Sequence, residues 1–76
     1  MNRYEFRVGP YTCVPLSYFA VGGVYLGAVR VSLEGAEAEL VQYPDRSFHA
    51  PSDARAYAKR RFTDAHDSGA DDETNG

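Results

Sequence analysis

The sequence predicts a small α+β domain in which a three-stranded antiparallel sheet carries one C-terminal amphipathic helix on one face. Three observations carry this expectation. Arg3-Tyr4-Glu5-Phe6-Arg7-Val8 alternates charged and apolar side chains, residues 22–33 form a long β-favouring run, and residues 51–65 show helical spacing behind a helix-start signal. Strands followed by one helix make a two-layer β-β-β-α unit.

In the first strand Tyr4, Phe6 and Val8 take one side and Arg3, Glu5 and Arg7 the other, the pattern of a half-buried strand. Gly9-Pro10 ends it, because proline donates nothing to a ladder. Tyr11-Thr12-Cys13-Val14 is again β-prone until Pro15, and reads as a frayed continuation or a short edge piece. Two readings compete for residues 15–22. Gly22-Gly23 is either the turn of a tight hairpin joining 18–21 to 24–27, or residues 15–22 are an irregular apolar connection. Pro15 and the uninterrupted apolar run favour the connection.

The run from 22 to 33 changes character along its length. Tyr25, Gly27, Val29, Val31 and Leu33 form a face that is apolar throughout. Val24, Leu26 and Ala28 open the other face, which Arg30 and Ser32 complete as polar. That is the pattern of a central strand buried on one face and covered on the other only near its start. Gly27 leaves room for a close approach to the backbone, such as that of an aromatic ring. Glu34-Gly35 signals a turn. In 36–43, Ala36, Ala38 and Leu40 alternate with Glu37, Glu39 and Val41; the alanines and glutamates also suit a helix, but the short spacing and the ending Val-Gln-Tyr-Pro favour a hairpin.

Pro44-Asp45-Arg46-Ser47 is loop chemistry, and Phe48 reads as a core plug. Ser52 suits an N-cap, and Asp53 sits where the helix dipole favours an anion. Ala54, Tyr57, Ala58, Phe62 and Ala65 then form one stripe. The expected core is Tyr4, Phe6, Val8, Val29, Val31, Leu33, Ala38, Leu40, Phe48, Tyr57, Ala58 and Phe62. Past His66 the composition falls to Ser, Gly, Asp, Glu, Thr and Asn, so residues 1–66 are expected to form a single domain and 67–76 a disordered acidic tail.

Gly23-Val24-Tyr25-Leu26-Gly27-Ala28-Val29-Arg30-Val31 and the helix start from Phe48 to Ala58 resemble a group of small uncharacterised proteobacterial β-β-β-α proteins. The resemblance spans residues 23–66 and implies a fold without implying an activity. Three strands and a helix are also similar in layout to arm-type integrase and plant AP2-like domains, which read DNA with the sheet; layout alone does not carry function.

Composition narrows the classes. Cys13 is the only cysteine, so no intramolecular disulfide can form, and a reducing compartment is expected. One cysteine with His49 and His66 lacks the paired spacing of a structural zinc site, and no metal or cofactor is expected. No basic start precedes an apolar stretch and no run reaches the length of a membrane span, so a cytoplasmic protein without a membrane partner is expected. Residues 1–63 hold all eight bases against six acids, and residues 64–76 hold five acids and no base.

Three site hypotheses follow. Arg3, Arg7 and Arg30 on the open sheet face, supplemented by Lys59-Arg60-Arg61, are candidate phosphate contacts, with Tyr11 or Tyr25 to stack on bases. Against this, Glu5, Glu37 and Glu39 are expected to pair with those cations across strands. A Cys13–His pair for nucleophilic catalysis is conceivable on paper, but Cys13 lies among apolar neighbours and no phosphate loop is present, so no enzyme is expected. Ten aromatics are more than a small sheet–helix core needs. Tyr18, Phe19, Val24 and Leu26 are therefore the candidate interaction surface for a protein partner or a second copy, unless residues 11–21 fold over the second sheet face.

Overall fold

Four strands follow one another across a single antiparallel sheet, and one helix crosses it. The computed structural model describes residues 4–66, with the helix assigned onward. In chain order the elements are β1 (Phe6–Val8), β2 (Tyr11–Ala20), β3 (Val24–Leu33), β4 (Glu39–Phe48) and α1 (Pro51–Asn75). The sheet order is β1-β2-β3-β4, every neighbour antiparallel. The expected tail over 67–76 and Arg3 lie outside the described residues.

The α+β class with one C-terminal helix holds, but the sheet has four strands where three were expected. The additional strand is β2, whose second half the sequence suggested as a loop. β2 and β3 pair continuously from Tyr11↔Leu33 to Ala20↔Val24. The hairpin closes through Val21-Gly22-Gly23, where Gly22 (φ +93°) and Gly23 (φ +74°) occupy a region that disfavours side chains. Pro15 misled because its position matters more than its presence. β1 reaches only as far as Cys13, so beyond it one edge of β2 is unpaired and tolerates a residue without an N–H.

Register decides what each face carries. Phe6 and Val8 on β1, Tyr11, Cys13, Pro15 and Ser17 on β2, Gly27, Val29 and Val31 on β3, and Val41 and Tyr43 on β4 are aligned on the helix face. The core gathers there: Cys13, Val29, Ala58 and Phe62 are buried, with Phe6, Val8, Tyr11, Val31, Val41 and Tyr43 packed around them. Phe6 meets Phe62 edge-on at 6.4 Å. Tyr4, Leu33 and Leu40 were expected in this core and are exposed. Leu40 moved because β4 starts at Glu39 and pairs Val29 with Val41. That register is one residue from the expected one, and with a period of two it turns Leu40 to the opposite face. Ala38 precedes the strand and is exposed.

Along α1, Ala54, Ala58 and Phe62 are buried, Tyr57 is half-buried and Ala65 is exposed. The helix begins one residue before the expected cap. Pro51 takes the first helical position, where a missing N–H costs nothing. The Ala54 amide bonds the Ala50 carbonyl at 3.3 Å, so Ala50 and not Ser52 is the cap residue. The close approach at Gly27 is made by this helix and not by an aromatic ring: a Cβ built there would lie 3.0 Å from that of Ala58.

β4 departs from the ladder between Tyr43 and Phe48. Those residues face Gly27 and Tyr25, so Pro44-Asp45-Arg46-Ser47 bulge out of the edge strand opposite one residue of β3. The loop chemistry of that segment is realised as a bulge, which aims Asp45 and Arg46 at α1.

Candidate functional site

With α1 on one face, the alternate positions of the strands carry the other. The register places Val14, Leu16 and Tyr18 beside Arg30, Ala28 and Leu26, and Arg30 and Ala28 beside Leu40 and Gln42. No element among the described residues packs across this face. Val14 and Ala28 are buried by their neighbours in the sheet, Leu16, Tyr18, Val24 and Leu26 are half-buried, and Leu40 is 53% exposed. The question of whether residues 11–21 cover the face is thereby resolved: they are a strand of the same sheet and contribute to the surface.

The four residues singled out from the sequence divide. Tyr18 and Leu26 are directly paired, and Val24 lies on the same face opposite Ala20. Phe19 points to the helix side, beyond the start of α1. There it meets the Tyr25 ring edge-on at 5.3 Å and stays 68% exposed. Arg7 and Arg30 share the open face but are not adjacent. Arg7 pairs with Thr12 and Arg30 with Val14, so β2 separates them. Of the acids expected beside them, Glu39 faces the helix side opposite Val31, and Glu37 lies in the turn before β4. Cross-strand pairing of these acids with Arg30 does not form.

The strongest polar cluster is one the sequence did not announce. Asp45 in the β4 bulge accepts hydrogen bonds from the Tyr57 hydroxyl at 2.6 Å and from Arg61 at 2.7 Å. Tyr57 and Arg61 also contact each other, one helical turn apart. The Arg61 guanidinium lies 5.1 Å from the Tyr43 ring centre and 5.4 Å from that of Tyr57. The Tyr57 and Arg61 hydrogen bonds hold the Asp45 carboxyl below its ordinary range, and Asp45 in turn raises Arg61. Burial pushes the Tyr43 hydroxyl up, against the pull of Arg61. Arg61 thus neutralises the bulge. Only the Tyr57–Arg61 spacing was visible in sequence. Its link to Asp45 depends on a bulge that residue patterns do not reveal.

Beside this cluster, Arg46 stacks over Phe48 (5.5 Å) and Tyr57 (5.7 Å), in an open groove lined also by Asp53 and Arg60. Arg55 covers the Tyr4 ring at 4.8 Å and donates to the Ser17 hydroxyl at 3.4 Å. Cations over aromatic rings are the recurring way in which this helix grips the sheet.

The residues of the hypothetical Cys–His pair have other occupations. Cys13 is fully buried, and burial raises its thiol above the ordinary value. His66 Nδ1 donates to the Phe62 carbonyl at 2.9 Å, and its ring stacks on Phe62 at 4.0 Å. His49 is exposed between β4 and α1. Among the described residues no three His, Cys, Asp or Glu side chains gather as a metal site, and no helix is long and apolar enough to cross a membrane.

No protein-family model matches the chain, and neither the curated proteins nor the solved structures include a significant match. The likeness to the proteobacterial group therefore rests on its motifs alone.

Proposed function

We propose that the chain is a small non-enzymatic association module that uses the uncovered face of its sheet, with a second copy of itself as the first occupant to test. The supporting observation is the pairing of Tyr18 with Leu26, flanked by Leu16 and Val24, with Leu40 exposed further along beside Arg30, on a face that no element of the described chain crosses. Apolar area of this kind is costly to leave in water and marks interaction surfaces. A domain of this size also has little surface to bury by itself. Stacking two such faces about 10 Å apart would supply the second apolar layer that each copy lacks.

A nucleic-acid reading would use Arg7 and Arg30 on the same face. Only Thr12 and Val14 of β2 stand between the two cations, and the rest of the face toward the β2–β3 turn, Leu16, Tyr18, Val24, Leu26 and Ala28, carries no charge, which suits a protein surface better than a phosphate backbone.

Sedimentation velocity over a concentration series tests the proposal. The parent protein is expected to dimerise, and Leu26→Glu is expected to stay monomeric with an unchanged circular dichroism spectrum. A parent that remains monomeric at the highest concentration removes the second copy as occupant. Salt-sensitive retardation of DNA or RNA that is lost on Arg30→Ala would favour nucleic acid instead.

A further inference from the structure

We infer that the β2–β3 hairpin tip is a membrane-docking element that inserts Phe19 and Val21 into an anionic lipid surface. From Val8 to Val29 the chain carries no charged side chain, and this stretch includes all of β2, the turn and most of β3. The hairpin projects past its supports. α1 meets β3 at Gly27 through Ala54 and Ala58, and β4 reaches only to Tyr25, so Val21-Gly22-Gly23 and the adjoining residues lie beyond both. At that tip Val21 is 100% exposed and Phe19 68% exposed. A lone exposed leucine elsewhere is unremarkable, but an uncharged projecting tip with its apolar side chains bare is the form of an interfacial anchor.

The residues behind the tip are arranged as a membrane interface would require. Tyr25 pairs with Phe19 at the same level, and Tyr18 follows one residue further back; both are amphipathic rings suited to the headgroup boundary. The cations stand level with Tyr25 and behind it. Arg55 bonds Ser17, which pairs with Gly27, and Arg46 stacks on Phe48, which pairs with Tyr25. Arg60 lines the same groove as Arg46, where Asp53 is the one carboxylate. Asp45 nearby is already held by Arg61 and Tyr57. At about 3.3 Å per residue, Ala20, the last residue of β2, stands roughly 10 Å beyond the Ser17 level, and Val21 lies in the turn past it. An insertion of about 5–10 Å therefore leaves the arginines among the phosphates. The expectation of no membrane partner rested on the lack of a long apolar span, which a peripheral tip does not need.

Cosedimentation with vesicles tests the inference, using equal parts phosphatidylglycerol and phosphatidylcholine against phosphatidylcholine alone. The parent protein is expected to pellet with the anionic vesicles, less so at high salt. Val21→Asp should lower partitioning at least about tenfold, because it replaces an inserted apolar group by a charge. Val21 touches no core residue, so the variant should melt like the parent. The chain has no tryptophan, so Val21→Trp supplies a single fluorophore, whose emission should shift to the blue with anionic vesicles and be quenched by brominated acyl chains. Leu40→Glu, on the uncovered face but far from the tip beside Arg30, separates this inference from the dimer, since it should weaken self-association and keep vesicle binding. No pelleting of the parent, pelleting undiminished in Val21→Asp, or Trp emission unchanged by vesicles overturns the inference.

Discussion

Ala54 of the helix rests directly on Gly27 of the sheet. A Cβ built at 27 would stand 3.3 Å from the Ala54 carbonyl carbon, closer still to its oxygen, and 3.0 Å from the Ala58 Cβ. The obstacle is largely backbone, so it can yield only if the whole helix moves. Gly27→Ala is therefore expected to destabilise the fold by about 1–3 kcal/mol, the range of overpacked cores. That outweighs the smaller gain from stiffening the unfolded chain. Gly27→Val should cost more. In a domain this small each kcal/mol lowers Tm by roughly 4–8 °C, so a thermal melt reads the difference. A Gly27→Ala protein that melts at or above the parent would show that the contact is not tight.

Phe62 and Leu40 are both large and apolar, but only the first is in the core. Phe62 is buried against Cys13, Val29 and Ala58, whereas Leu40 is turned to the uncovered face. Phe62→Ala should cost about 3–5 kcal/mol through lost transfer energy and the cavity left behind. Leu40→Ala in the monomer should stay within about 0.5 kcal/mol, as surface substitutions do. Urea unfolding at low protein concentration distinguishes them, and equal losses would contradict the β4 register.

That register marks the boundary of what residue patterns disclose. The two faces of β3 were legible because Val29, Arg30, Val31, Ser32 and Leu33 alternate apolar and polar side chains. The buried side of α1 was legible because Ala54, Ala58 and Phe62 repeat at helical spacing. β4 was not, because Glu39, Leu40 and Val41 offer apolar side chains in both phases and only pairing to Val29 selects one. β2 was obscured by Pro15, whose acceptability depends on where β1 stops. The same limit applies to the site. Tyr18, Val24 and Leu26 could be grouped from sequence, but Phe19 needed the start of α1 to place it, and the partners of Asp45 needed the bulge.

The Asp45 cluster makes stability depend on acid. Hydrogen bonds from Tyr57 and Arg61 depress the folded-state pKa of Asp45 below its unfolded value. The unfolded state therefore takes up the proton first as pH falls. The stabilisation is fully present above the unfolded value, roughly pH 4, and is lost as pH drops through the folded value. Asp45 is exposed, so solvent screening keeps the effect small. Urea midpoints should fall between pH 6 and pH 3 by less in Asp45→Asn than in the parent. Equal slopes would mean that the cluster contributes nothing to folding.

Cys13 reports on opening of the fold. It has no exposed surface, and Val29, Ala58 and Phe62 surround it. Burial raises its thiol pKa, so thiolate, the reactive form, is scarce as well as inaccessible. Labelling by a thiol reagent should therefore be far slower in the native protein than in urea, and its rate should follow the population of open molecules. β1 is only three residues long and places Phe6 opposite Cys13. Phe6→Ala should then speed labelling more than its loss of global stability accounts for, because fraying of β1 uncovers Cys13 before the sheet separates. If labelling and stability change in proportion, opening is global and β1 is part of a single cooperative unit. The raised pKa also fixes a sign at the alkaline end: stability is full below the unfolded thiol value and falls as pH rises above it, opposite in direction to the Asp45 effect.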